Sequence, residues 1–478
     1  MSDKRHPLTQ FSMNLLPFAD AASEGLPAKQ LLRLSLFQVS VGMASVLLLG
    51  TLNRVMIVEL SLSAMIVACM IALPVLIAPF RALLGFRSDT YKSAIGWKRV
   101  PYLWFGSLWQ FGGLAIMPFA LLVLADRGKI GPEWAGEVLA ALAFLMTGLG
   151  LHMTQTAGLA LASDRASDET RPRVVSLLYV MFLVGMGISA VIIGLLLRDF
   201  NELKLVQVIQ GAAVVGIILN IVAIWKQEKM APMTKAERAE PRPSFRDAWR
   251  DFAQGGQAGR LIVVVFMGTM AFNMQDVLLE PYGGEILGLS VSATTLLTAM
   301  WAGGALFGFL MSAKWLANGL NPYRMAARGL LVGLAAFSAV IFAAPLNSSA
   351  LFFIGSGGIG LGGGLFAVAT LTAAMAMPAT GKAGRGLALG AWGAAQATAA
   401  GVSIAIGGTL RDAVNAVALN GTLGEGLVSK ATGYSVVYHT EIALIFVTLI
   451  ALGPLVRFGS DLNQNREDGP LGLADFPT

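Results

Sequence analysis

The sequence predicts an all-α membrane protein with twelve transmembrane helices in two six-helix halves. Three observations carry this. Of 478 residues, 55% are hydrophobic and only 13% are charged, with a mean hydropathy of +0.68. That is the composition of a polytopic membrane protein and not of a soluble globule of this size. Apolar runs long enough to cross a hydrocarbon core of about 30 Å recur through the chain, separated by polar stretches. A basic, proline-containing connection at 226–260 divides six of these runs from six others.

Residues 1–30 form a polar N-terminal tail with no signal-peptide core. An N-terminal six-helix bundle follows over 31–225, with spans at 33–57, 62–84, 102–125, 134–162, 174–197 and 205–225. The linker 226–260 carries Pro232, Pro241 and Pro243, and its stretch 244–252 reads either as an amphipathic interfacial helix or as solvated linker. The C-terminal bundle covers 261–458, with spans at 261–281, 290–315, 325–345, 350–377, 387–410 and 436–457, and 459–478 is a C-terminal tail. The tenth span holds a run of glycines from Gly355 to Gly364, which suits close packing of a helix or a flat macrocycle.

An even number of spans puts both termini on one side. Of the 34 Lys and Arg residues, seven (Arg54, Arg127, Lys129, Arg198, Lys204, Arg411 and Lys430) fall on the far side, and the remaining 27 share the side of the termini. By the positive-inside rule both ends are cytoplasmic. The net charge of +6 is therefore a matter of membrane orientation and not of nucleic-acid binding. Cys69 is the only cysteine and lies in an apolar run, which excludes an intrachain disulfide or a cysteine-based metal cluster. No phosphate loop, dinucleotide fingerprint, metalloprotease helix or nucleophile elbow is present, so nothing points to an enzyme.

The halves are related. Leu60-Ser61-Leu62-Ser63-Ala64 opens the second span and Leu289-Ser290-Val291-Ser292-Ala293 the eighth; Gly85-Phe86 closes the second and Gly308-Phe309 lies near the end of the eighth. Two such halves around a central cavity are the major-facilitator plan. Gly85, Asp89, Gly96 and Arg99, in the loop after the second span, resemble that superfamily's cytoplasmic loop motif, in which a glycine, an acid and basic residues lock two helices. The spacing from Asp89 to Gly96 is longer than the pattern, and Ser312 stands where the second copy would carry an acid. A basic loop obeying charge asymmetry accounts for the same residues.

The seventh span carries polar groups at depth. Asn273, Asp276 and Glu280 fall at i, i+3 and i+7 on one helical face. An ionisable group inside the membrane costs a few kcal/mol or more and marks a cavity or a partner. A plainer reading makes them polar residues at a helix end, since Pro281 and Gly283-Gly284 are expected to break the helix there. Arg54, deep in the first span, reaches the same outer third of the membrane. The first and seventh helices are equivalents of the two halves, so Arg54 is expected to pair with Asp276 or Glu280 across the cavity, with the four residues as charge or gate candidates.

Several segments are specific enough to name a family. Leu16–Ala21, Gly50–Leu60, Ala78–Leu83, Arg171–Val175 and Met274–Gly284 resemble the PucC/LhaA family of the major facilitator superfamily, and the likeness spans nearly the whole chain. The resemblance implies an assembly factor for bacterial light-harvesting antenna complexes in the inner, intracytoplasmic photosynthetic membrane. It implies bacteriochlorophyll as the cofactor held or delivered and nascent antenna polypeptides as partners, with pigment-biosynthesis enzymes or membrane insertion machinery as further ones. The alternative is a proton-coupled secondary transporter of a small solute or a tetrapyrrole-related molecule, with Asp276 or Glu280 as the proton site. His152 is the pigment-binding candidate. It sits about 12 residues, or roughly 18 Å, before Asp164-Arg165, with Gln155 and Thr156 on its face. A neutral imidazole there can ligate the magnesium of a chlorin; a histidine hydrogen-bonded to Gln155 or to a neighbouring helix is the other reading.

Overall fold

The computed structural model describes residues 21–77 except Glu24, 97–125 except Lys98, 132–167 except Glu133, 170–228, 256–375 and 385–464. The described residues contain helices and no strand. In chain order the helices are α1 (Ala28–Glu59), α2 (Ala64–Leu76), α3 (Val100–Ala125), α4 (Ala135–Arg165), α5 (Arg171–Leu196) and α6 (Glu202–Ile224). In the second half, α7 runs over Gly256–Asn273, tightens to a 3-10 turn at Met274–Val277 and resumes as Leu279–Glu285. Then come α8 (Val291–Ala317), α9 (Pro322–Ala343), α10 (Ser349–Met375), α11 (Arg385–Leu419) and α12 (Ala431–Gln464). Eleven are long and apolar enough to cross a membrane, and α2, the twelfth, is apolar over its 13 described residues. The linker segment 244–252 lies outside the described residues.

Helix starts follow their caps. Ser63 Oγ accepts from Ile66 N (3.3 Å) at the head of α2, and Ser290 Oγ accepts from Ala293 N (3.2 Å) at the head of α8. These equivalent caps set the halves 227 residues apart (290 less 63). The sequence pairing of Leu60 with Leu289 is two residues out of this register, because a short Leu-Ser repeat aligns with itself at more than one offset.

Packing repeats with the same symmetry. Helix α3 lies on α4 as α9 lies on α10, and α1 meets α5 and α6 as α7 meets α11 and α12. The halves join through α2 against α11 and α5 against α8. This is the pseudo-symmetric two-bundle plan expected from the sequence. The glycine row of α10 serves backbone contact. A Cβ added at Gly360 would strike the Trp301 carbonyl of α8, and one at Gly362 would come 2.7 Å from the Gly329 carbonyl of α9. The outer faces are apolar, with Phe105, Trp109 and Phe119 of α3 about half exposed, as suits a lipid-facing surface.

The start of α1 and the end of α6 share one face of the bundle, called here the terminus face, where Gln227 Nε2 donates to the Gln30 carbonyl (3.2 Å). The heads of α2, α8 and α12 lie at the opposite, distal face. Both α1 and α7 are irregular towards that distal face. Helix α1 widens to π-helical winding at Val46–Thr51 and again at Val55–Glu59, opposite the 3-10 turn of α7.

Candidate functional site

The break in α7 builds the site. Hydrogen bonding tightens at Met274–Val277 and helix resumes at Leu279, so Pro281 sits in the first turn of the new segment. There its missing N–H removes no helix hydrogen bond. The interruption therefore precedes Pro281, where the sequence had placed it at Pro281 and Gly283-Gly284. Gly283 and Gly284 are helical, and Gly284 leaves space for Arg54: an added Cβ would come 3.1 Å from the guanidinium.

Asp276 accepts from Asn273 Nδ2 (2.8 Å) and from Gln275 Nε2 (2.6 Å). Asn273 and Asp276 thus meet at i, i+3. From α1, Asn53 Nδ2 donates to the Leu49 carbonyl (2.6 Å) and reaches the Asp276 carbonyl at 3.4 Å. Glu280 turns to other partners. Its Oε1 accepts from Thr298 Oγ1 of α8 (2.5 Å), and it packs against Gly50 of α1, where any side chain would strike the carboxylate. Asp276 is half-buried and Glu280 is 3% exposed.

Arg54 takes a partner on its own helix. Its Nη1 pairs with Glu59 Oε1 at 2.5 Å and its Nη2 donates to the Leu289 carbonyl at 3.1 Å. The π winding of Val55–Glu59 aligns residues five apart, which brings Glu59 under the guanidinium. Read at ordinary helical period, Glu59 falls to the side, and this is why the sequence pointed instead to Asp276 or Glu280. Arg54 nonetheless lies within electrostatic reach of Glu280.

Two further groups complete this layer, and the sequence reading did not single them out. Glu441 of α12 is fully buried, and its Oε1 accepts from the backbone N–H of Gln275 at 2.7 Å. A lone acid in an apolar span was its signal, the same signal that marked Asp276. At the distal ends of α7 and α11, Arg411 pairs with Glu285 and with Asp412 Oδ1 (2.7 Å), and the Tyr434 hydroxyl donates to Glu285 Oε2 (2.9 Å). Asp412 Oδ2 in turn accepts from Ser63 Oγ (2.8 Å) and Met65 N (2.7 Å), capping α2 of the other half. With Thr51 bonded to Thr295 (3.2 Å) and Arg54 to Leu289, these contacts tie the halves together at the distal face.

At the terminus face, the described residues of the N-terminal half make a set of polar contacts. Arg99 Nε pairs with Asp164 Oδ2 at 2.8 Å, and the Glu228 carboxylate accepts from the backbone N–H groups of Arg99 and Val100 (3.1–3.3 Å). Arg165 donates to Gln30 (2.5 Å), the Gly25 carbonyl (2.8 Å) and Gln227. Gly85, Asp89 and Gly96 lie outside the described residues. His152 is half-buried on α4, and one turn on Gln155 Nε2 reaches Gln38 Oε1 of α1 at 3.5 Å. The Gln38 amide nitrogen is buried without an acceptor. Among the described residues no three His, Cys, Asp or Glu side chains converge on a metal position.

A family model described as PUCC protein matches residues 51–459. An uncharacterized protein in the puhA-bchM intergenic region of Rhodobacter capsulatus is 62% identical over 476 residues, 99% of each chain. Protein PucC of Rhodovulum sulfidophilum is 56% identical over 403 residues, 84% of this chain and 88% of that one. Among solved structures, a bacterial homolog of the human lysosomal transporter Spinster, inward-facing and unoccupied, matches with a TM-score of 0.67 at 14% identity, over 91% of this chain and 98% of that chain. At that identity the likeness is one of fold.

Proposed function

This chain belongs to the PUCC protein family, and from that premise we propose that it is an assembly factor for bacterial light-harvesting antenna complexes, one that binds bacteriochlorophyll or delivers it to nascent antenna polypeptides in the membrane. The observation that carries the reading is the family match, which runs from the distal part of α1 into the last turns of α12 and so takes in both halves. The work is non-catalytic. Its place is the photosynthetic inner membrane with both termini cytoplasmic, an orientation the charge asymmetry supports.

Bacteriochlorophyll, when bound, would supply a magnesium ion that takes a nitrogen ligand, and carbonyl groups that accept hydrogen bonds. The residues of this chain suit both. His152 offers an imidazole beside the α1–α4 contact, Gln155 shares its face, and the orphaned Gln38 amide N–H is a donor in want of a carbonyl. Closure of the distal face supports a cargo that arrives from the terminus face or sideways from lipid. The test is deletion of the gene in phototrophic cells. Mature antenna absorption should fall while antenna polypeptides are still translated; unchanged absorption with no paralogue expressed refutes the reading.

A second reading is a proton-coupled secondary transporter of a small solute or tetrapyrrole-related molecule. The buried Glu280 and the half-buried Asp276 on an interrupted helix favour it. Proton-driven uptake by purified protein in liposomes would support it.

A further inference from the structure

Buried oxygen atoms with no hydrogen-bond donor gather in one layer of the C-terminal half. Glu441 Oε2 of α12, Gln275 Oε1 in the α7 turn and the Tyr438 hydroxyl, one turn before Glu441, are each unpartnered. All three residues are at most 1% exposed. Gln275 ties the group together, donating its N–H to Glu441 Oε1 (2.7 Å) and its Nε2 to Asp276 Oδ1 (2.6 Å). Asp276 and Tyr438 both lie within electrostatic reach of Glu441.

Depth agrees. Asp276 stands nine residues before Glu285, the distal end of α7, and Glu441 ten residues after Ala431, the distal start of α12. At 1.5 Å per residue both lie roughly 14 Å in, close to the middle of a bilayer. The neighbouring guanidinium groups are engaged with other acids, Arg54 with Glu59 and Arg411 with Glu285 and Asp412. Among the described residues the layer thus holds two carboxylates and surplus oxygen acceptors with no cationic partner of its own. Carboxylates left so at membrane depth are costly.

A helix interrupted at the midplane is the setting in which many secondary transporters bind coupling ions, because the irregular turn frees backbone oxygens. A single proton satisfies at most two of these oxygens. A hard metal cation gathers several oxygen ligands at once. With no third His, Cys, Asp or Glu ligand among the described residues, the set of two carboxylates, an amide oxygen and a hydroxyl offers fewer oxygen ligands than the roughly six to eight of a calcium site, which favours a monovalent cation. We propose that Asp276, Gln275, Tyr438 and Glu441 form a binding site for a monovalent metal cation of Na⁺ size at the α7 break. The site rests on neither reading of cargo above.

The test is thermal unfolding of the purified full-length protein, with NaCl titrated against choline chloride at constant ionic strength. Na⁺ should raise the midpoint in a saturable way, Glu441→Gln should abolish the rise, and Tyr438→Phe should raise the half-saturating concentration several-fold. If Glu441→Gln does not fold, Tyr438→Phe decides, and an unchanged half-saturating concentration overturns the site. It is also overturned if Na⁺ and choline act alike on wild type, if Glu441→Gln responds to Na⁺ as wild type does, or if acid alone stabilises and Na⁺ adds nothing, which assigns a proton instead.

Discussion

Arg54 is almost enclosed, whereas 39% of the Glu59 side chain remains exposed, and this asymmetry sets what each substitution should cost. Glu59→Gln leaves the buried guanidinium without its ion-pair partner and still bonded to the Leu289 carbonyl, a loss approaching the roughly 3–5 kcal/mol of a broken buried pair. Arg54→Gln leaves a carboxylate that can turn to water, and the loss should be about 1 kcal/mol. Unfolding midpoints of the two variants in one detergent would show the ordering, and equal losses would contradict it. At His152 the expectation concerns pigment. His152→Leu keeps bulk and removes the ligand nitrogen, so the purified protein should lose pigment or show a shifted absorption band while its unfolding midpoint holds. Full pigment with an unshifted band would assign His152 to packing. These residues were legible to different degrees. Asp276 and Glu280 announced themselves as acids in an apolar run. The partner of Arg54 did not, because the contact depends on π winding that no spacing rule at 3.6 residues per turn contains.

Among the elements, α1 and α7 carry the irregularities that matter, and α1 keeps Gly50 so that Glu280 can lie against it. Gly50→Ala should therefore overpack the α1–α7 contact at a cost of about 1–3 kcal/mol. Combined with Glu280→Ala, which removes the obstructing carboxylate, the cost should be less than the sum of the two. Strict additivity of the unfolding midpoints would show that the two residues do not meet. Where α11 meets α2, Asp412→Ala removes the carboxylate that accepts from Ser63 Oγ and Met65 N, and should cost about 0.5–2 kcal/mol as a lost cap. The existence of twelve helices was legible because hydropathy over about 20 residues is set locally by the bilayer. The α7 break was misplaced because proline marks both a helix end and a first turn, and only the flanking hydrogen bonds distinguish them. The register of the two halves needed the caps at Ser63 and Ser290, since the Leu-Ser repeat fits itself at several offsets.

On the scale of the whole molecule, the two related halves are bound to each other at the distal face by polar contacts of α1, α2, α8 and α11. That arrangement was only half legible. The pairing of bundles follows from twelve spans and a central linker, but the clasp of Arg411, Asp412 and Glu285 joins residues far apart in the chain, and Arg411 registered only as a charge on the far side. The proposed role of this scaffold is to hold pigment for antenna assembly. Its most direct test is the absorption spectrum of the protein, gently solubilised and purified from phototrophic cells. The prediction is a bacteriochlorophyll band that co-purifies in fixed proportion to the chain and that weakens or shifts in His152→Leu. A wild-type protein that is pure, folded and free of any such band would contradict the claim and leave the transporter reading in its place.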